Sequence, residues 1–283
     1  MLKFPLSIFC LLLLLLSGCD FSSKKNALSA THYKVILAGS TSIEPIAEKL
    51  AEHYMEHHPE YKIEVQGGGS SAGIQAAKMK AADIGMSSRA LKKDEKIFWE
   101  HTIAYDAIVL IVNPVNPIPN LTLSQIQKIF SFQITKWSEI EKSLSGRITV
   151  ITREEGSGTR GAFEDLIMHK TEISPRCLVQ DSTGAVREIV SSDPNAIGYV
   201  SFGGLNNQVK GVCIEGIAPK MENMLTDNPL QKYKIIRPFL FLTSPEPSRE
   251  SLKFIEFIQS SEGEKILQEE GLIPSYEKIR KSD

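Results

Sequence analysis

From Tyr33 to the end of the chain, short apolar runs alternate with segments of helical period, and this alternation narrows the available folds more than any other feature. YKVILAG (33–39) has strand character, and in IEPIAEKLAEHYMEHHP (43–59) the apolar residues recur every three or four positions. The same exchange recurs in YKIEVQGG (61–68) with SAGIQAAKMKAA (71–82), in ITVITREEG (148–156) with TRGAFEDLIMHK (159–170), and in CLVQD (177–181) with AVREIVSSD (185–193). AIVLIV (107–112), AIGYVSF (196–202) and KIIRPFLFLTS (234–244) add strands, and SLKFIEFIQSSEGEKILQEEG (251–271) closes as helix. Strands joined by helices imply an α/β protein with mostly parallel sheets flanked by helices. A length of 283 residues suits one large domain or two lobes of about 100–150 residues each. Val112-Asn113-Pro114 leaves a buried strand and AIGYVSFGG (196–204) offers a return, so two crossing segments are expected. That places one lobe at 33–112 plus 203–283 and the other at 113–202.

Three turns in this series share one design. Gly39-Ser40-Thr41-Ser42, Gly67-Gly68-Gly69-Ser70-Ser71-Ala72-Gly73 and Arg153-Glu154-Glu155-Gly156-Ser157-Gly158-Thr159-Arg160 each lie between a strand and a helix. The first N–H groups of a helix have no intrahelical acceptor, and the helix dipole adds partial positive charge there. Glycine lets an anion approach the backbone, and Ser or Thr hydroxyls supply further donors. Any one such turn is explained by ordinary helix capping. Three at the carboxyl ends of strands, where ligands of open α/β sheets bind, point together to an oxyanion site.

Other chemistries fit less well. None of the turns has the Gly-Lys-[Ser/Thr] of a Walker loop. Gly156-Ser-Gly158-Thr-Arg-Gly161 does match a dinucleotide fingerprint, with Asp181 further on, but Glu154 and Glu155 directly precede it. Residue 155 is Glu, so Ser157 does not sit in a nucleophile elbow. His53, His57 and His58 cluster at a helix end without a nearby Cys or acidic pattern of metal-site spacing, so neither a metal nor a cofactor is expected. The charges nearly balance, with 32 Lys and Arg against 34 Asp and Glu, which argues against a basic face for nucleic acid.

Within that near-neutral chain, selection of an anion falls to a few residues. Arg153, just before the third turn, offers a forked guanidinium, and Arg89 after DIGMSS is a second candidate. Asp106 precedes the apolar run AIVLIV. It can pair with Arg89 or Arg153, or accept a proton from a partly protonated oxyanion, a contact that fully ionised sulfate cannot make. The two roles are compatible.

The first residues read as an address. MLKFPLSIFCLLLLLLSGC has one Lys and an apolar run too short to span a bilayer, the layout of a secretory signal peptide at 1–18. Leu16-Ser17-Gly18-Cys19 resembles a lipobox, so Cys19 is the expected lipidated residue and 19–32 a polar tether. An extracytoplasmic domain held at a membrane surface follows. An oxidising compartment permits a Cys177–Cys213 disulfide, with two free thiols as the alternative.

At this point the motifs are similar to a known family. GSTSIEP (39–45), GGGSSAG (67–73), DIGMSSR (83–89), LIVNPVNP (110–117), LTLSQIQKIFSFQITKW (121–137), REEGSGTR (153–160) and AIGYV (196–200) together resemble the phosphate-binding lipoproteins of phosphate ABC importers, the PstS-like family. The resemblance implies a two-lobed, type II periplasmic-binding-protein fold that clamps inorganic phosphate between lobes and passes it to ABC permease subunits, as a monomer without enzymatic activity. It implies phosphate contacts from Thr41, Ser42, Ser70, Arg153, Ser157, Gly158 and Thr159. Some members carry an acidic residue where this chain has Ser88-Arg89, which makes Ser88, Arg89 and Asp106 the residues on which selectivity turns. Sulfate, molybdate or tungstate as ligand, or an envelope enzyme acting on phosphate esters, are the competing readings.

Overall fold

The computed structural model describes residues 33–275; the signal sequence, the tether and Cys19 lie outside the described residues. The chain opens with β1 (Tyr33–Gly39), α1 (Glu44–His57), β2 (Tyr61–Gly67), α2 (Ser70–Lys78) and β3 (Ile84–Ser87). Next come β4 (Trp99–Val112), β5 (Asn120–Leu121), α3 (Leu123–Phe130), β6 (Thr149–Arg153), α4 (Gly158–Phe163), β7 (Leu178–Gln180), α5 (Thr183–Ser192) and β8 (Ala196–Ser201). The remainder is β9 (Lys210–Gly211), β10 (Cys213–Ile214), α6 (Met221–Leu225), β11 (Ile236–Thr243), α7 (Arg249–Ile258), α8 (Ser261–Glu269) and β12 (Ile273–Pro274). The single closing helix read from sequence is two, because Ser260 ends one and caps the next, accepting from Gly263 N–H.

One ten-stranded sheet runs β2-β1-β3-β11-β4-β8-β6-β7, with β9 and β12 also on β4. Its flanks are parallel, β2-β1-β3 on one side and β8-β6-β7 on the other. Its middle is antiparallel: β11 opposes both β3 and β4, and β4 opposes β8. The long strand β4 serves both flanks, pairing with β11 from Trp99 to Ala107 and with β8 from Ile108 to Val112. Since β4 runs in the sense of β1–β3 but against β6–β8, the two flanks point their carboxyl ends toward each other across the middle of β4. Every βα turn singled out above lies at one of those ends.

The side chains follow from period and burial. Val35 and Leu37 alternate inward on β1, and Ile46, Ala47, Leu50, Ala51 and Tyr54 form the covered face of α1. They share a cluster with Ile84, Phe239, Phe241 and, from α7, Phe254 and Ile258. A second cluster gathers Leu110, Val112, Phe130, Trp137, Phe163 and Tyr199. Val212, Ile214, Met224, Tyr233 and Ile235 are buried in this second cluster, and Tyr233 Oη donates to Ile108 O at 2.9 Å. The segment after residue 203 therefore does not pack wholly with β1–β3; it first adds to the far half and returns with β11.

Helix α2 lies so close to β1 that a glycine is required. A Cβ on Gly73 would meet Ala38 O, Gly39 Cα at 2.6 Å and Met86 O at 3.0 Å, all backbone atoms that cannot rotate away. Gly73→Ala gains about 1 kcal/mol of helix propensity, but overpacking of this kind costs about 1–3 kcal/mol. A net loss is expected, read as a lower urea midpoint with an unchanged slope.

Candidate functional site

The first turn begins at Gly39, whose φ of 141° excludes a side chain. Ser40 N–H donates to Met86 O at 3.0 Å, fixing the turn to β3, and Ser40 Oγ–H donates to Ser88 Oγ at 2.8 Å. Ser42 Oγ lies 2.7 Å from Thr159 Oγ1 and 3.0 Å from Thr183 Oγ1, so one hydroxyl joins three helix starts. In the second turn Ser70, at the head of α2, accepts from Ser88 N–H at 3.0 Å, and Ser71 N–H donates to Gly156 O at 3.1 Å across to the third turn. In the third, Ser157 caps α4 by accepting from Arg160 N–H at 3.2 Å. Gly158 packs directly on Ser70 and Ser88, where a Cβ would overlap both hydroxyl oxygens. Ser70, Ser88, Ser157 and Thr159 are all buried.

A fourth turn completes the set. Ser182 caps α5, accepting from Ala185 N–H at 3.1 Å, and Thr183 at the first position of the helix faces Ser42 and Arg153. Asp181-Ser182-Thr183-Gly184 has the same hydroxyl and glycine make-up between strand and helix as the other three, so its signal was present in the sequence.

Two buried arginines stand behind the hydroxyls. Arg153, 1% exposed, donates through Nη2 to Thr41 Oγ1 at 3.2 Å and to Asp181 O at 3.0 Å, and through Nη1 to Thr183 Oγ1 at 3.3 Å. Glu154 holds its other edge, with Nε–Oε2 and Nη2–Oε1 both at 2.9 Å. Tyr199 Oη accepts from Arg153 N–H at 3.3 Å and meets Thr152 Oγ1 at 2.8 Å, and burial pushes its phenol up to about 12. The second is Arg237, which sequence reasoning missed. It is 2% exposed and donates through Nη1 to Thr159 Oγ1 at 2.8 Å and to Ser88 O at 3.2 Å. A lone arginine in the apolar run IIRPFLFL was the available sign.

Asp106 pairs with Arg237, not with Arg89 or Arg153. Asp106 lies inside β4, not before it, and Arg237 is its cross-strand partner on β11. Asp106 Oδ2 accepts from Arg237 Nε at 3.0 Å and Nη2 at 2.9 Å, while Oδ1 accepts from Ser201 Oγ at 2.8 Å and Phe202 N–H at 3.1 Å. Burial pushes the carboxyl upward, and Arg237, Ser201 and Phe202 oppose it. Four donors occupy its two oxygens, which leaves Asp106 no free acceptor for a bound anion. Arg89 is likewise engaged: its fork grips Glu95 at 2.7 and 2.8 Å, Nη1 also donates to Ala90 O, and Nη2 reaches Ser71 Oγ at 3.4 Å. That fork holds the Glu95 carboxyl below the usual range.

Each arginine thus carries its own carboxylate, Arg153 with Glu154, Arg237 with Asp106 and Arg89 with Glu95. The surplus donors of the cluster are neutral hydroxyls and helix N–H groups. A cleft of about 240 Å³ opens beside it, lined in part by Thr41, Ser42, Thr183 and Ser201. The arrangement suits a compact, oxygen-rich anion held by many hydrogen bonds.

The disulfide does not form. Cys177 and Cys213 are both free: Cys177 is buried and donates to Phe130 O, whereas Cys213 lies in β10 beside β5. Burial pushes the Cys177 thiol up to about 11.

Residues 25–262 match the family model of the PBP superfamily domain. A Clostridium perfringens structure, described as a phosphate ABC transporter substrate-binding protein with bound phosphate, is 38% identical with a TM-score of 0.81, covering 86% of this chain and 99% of that one. A Vibrio cholerae ABC-type phosphate transport receptor is 35% identical with a TM-score of 0.68, covering 84% and 99%. The phosphate-binding protein PstS of Borreliella burgdorferi is 29% identical over 284 residues, 96% of this chain and 99% of that one. These structural neighbours have the type II periplasmic-binding-protein fold.

Replacing Arg237 by Met leaves the Asp106 carboxylate buried without its counter-charge, which costs about 3–5 kcal/mol. The double variant Asp106→Leu with Arg237→Met is expected to lose less than Arg237→Met alone, because no orphaned charge remains. Urea unfolding of the two variants and the parent measures this, and simple additivity would contradict the coupling.

Proposed function

The chain belongs to the PBP superfamily as a PstS-like phosphate-binding protein, and on that premise we propose that it captures inorganic phosphate in the hydroxyl-lined cluster and delivers it to the permease of an ABC importer. The observation that carries this reading is the meeting of four helix starts from both flanks of the sheet around Arg153 and Arg237. Thr41, Ser42, Ser70, Ser88, Arg153, Ser157, Gly158 and Thr159 are the proposed phosphate contacts, with Arg237 and Thr183 added by their bonds to Thr159, Ser42 and Arg153. Arg89 and Asp106 act as positioning residues through Glu95 and Arg237.

In this reading residues 33–106 with the end of the chain make one lobe and 107–202 the core of the other, and the packing of 212–235 with Phe130 and Tyr199 supports counting them with the second. Hinged closure of the lobes encloses the anion. The chain works outside the cytoplasm, anchored through lipid on Cys19, as a monomeric binding protein without catalytic activity. Among the described residues no helix is long and apolar enough to cross a membrane.

Saturation of Asp106 gives the broader oxyanion reading some weight. With that carboxylate committed, discrimination rests on Ser and Thr hydroxyls, which can donate to an oxyanion or accept from its proton.

Calorimetry with inorganic phosphate is expected to show one site, and Arg153→Ala to weaken it about 100-fold, or about 2.8 kcal/mol. Heat from sulfate or molybdate but none from phosphate would replace the ligand. Because captured charge meets neutral donors, raising salt from about 0.1 M to about 1 M (screening length about 10 Å falling to about 3 Å) should weaken binding only modestly; a steep slope counts against this cluster.

Asp106→Asn separates selectivity from stability. The expected result is weaker binding of phosphate and sulfate alike with an unchanged ratio between them. A collapse of the ratio toward sulfate would return Asp106 to the ligand.

A further inference from the structure

We propose that His53, His57 and Glu262 form a surface site for a borderline divalent cation such as Zn2+, bridging α1 and α8. His53 and His57 stand one turn apart on α1, and Glu262 comes from the first turn of α8, which packs against the end of that helix. One ligand atom from each residue lies within 4.8 Å of the other two. The sequence showed only the histidines; the carboxylate arrives from near the other end of the chain.

The geometry prepares His57 directly, whereas at His53 the Nε2–H that donates to Glu262 gives up its proton to solvent when a metal takes its place between the two. His57 Nδ1 is 3.0 Å from His53 O. A carbonyl can only accept, so Nδ1 carries the proton and Nε2 of the neutral ring keeps its lone pair for a metal. The His53 ring stacks on Phe257 with centroids 5.9 Å apart and planes 17° off parallel, and its Nε2 lies 2.7 Å from Glu262 Oε1. Tetrahedral ligands about 2.0–2.2 Å from Zn2+ are about 3.3 Å from one another. The His53–Glu262 pair therefore opens slightly as His57 closes in, a movement open to side chains at the surface. Two imidazoles and one carboxylate suit Zn2+, and Ni2+ or Cu2+ fit the same set. His57 and Glu262 are exposed and His53 half-buried, so water is available to complete the set.

The site lies on the helical face of the β1–β3 half and does not involve the hydroxyl cluster, so it can be tested whether or not the phosphate reading holds. The untagged protein, stripped with chelator in phosphate-free buffer, is titrated with Zn2+ by calorimetry and then melted. One saturable site is expected, with Tm raised by about 3–6 °C at tenfold excess over Kd. His57→Ala and Glu262→Gln should each weaken Zn2+ binding at least tenfold while apo Tm and phosphate affinity stay at parent values. His58→Ala, the exposed neighbour that faces Glu60 instead, should bind as the parent does. No saturable event in the parent, parent-like affinity in His57→Ala and Glu262→Gln, or loss in His58→Ala overturns the site.

Discussion

The antiparallel pairing of β4 with β8 is the constraint on which the rest depends. A uniformly parallel sheet would send all its βα turns to one edge, strung out along the strand order. Here the sense reverses beside one shared strand, so turns after β1 and β2 confront turns after β6 and β7. Helix N-termini that would otherwise line a rim are brought within hydrogen-bond reach, as Ser42 with Thr159 and Ser71 with Gly156 record. Asp106 and Arg237 mark the place where the reversal occurs, in register on β4 and β11.

The electrostatics of that meeting point are economical. A buried ion pair is not in itself a strong source of stability, since desolvation offsets much of its attraction. Its use here is placement: Asp106 holds the guanidinium flat so that Nη1 is free to reach Thr159 and Ser88. Glu154 treats Arg153 likewise through Nε and Nη2, leaving Nη1 to face Thr183 while Nη2 also donates to Thr41. An anion entering such a cluster exchanges hydroxyl–hydroxyl bonds for hydroxyl–oxyanion bonds. The net count of hydrogen bonds changes little, while their strength rises because one partner is charged.

Much of this was legible in the chain. Periodicity located the strands and helices that position the site, and the hydroxyl and glycine turns announced themselves by composition. Thr183 is equally visible in DSTG, between the strand CLVQD and its helix. Arg237 was hidden for a different reason. Nothing local distinguishes one arginine in an apolar strand from a surface residue; only the β4–β11 register, which joins positions far apart in sequence, turns it toward Thr159. The same blindness assigned Asp106 to the wrong cations and left His53 and His57 without Glu262. Partners supplied by tertiary pairing have no period to read.

The sharing of β4 has one more consequence. Its first part is sealed into the cluster with Phe239 and Phe254, and its last part into the cluster with Phe130 and Tyr199. Losing either cluster strips a continuous strand of its neighbours on one stretch and loosens its ends on the other. Subglobal opening of one half is thereby penalised by the other. Toward heat, denaturant or protease, the β1–β3 and β6–β8 halves therefore behave as a single cooperative unit.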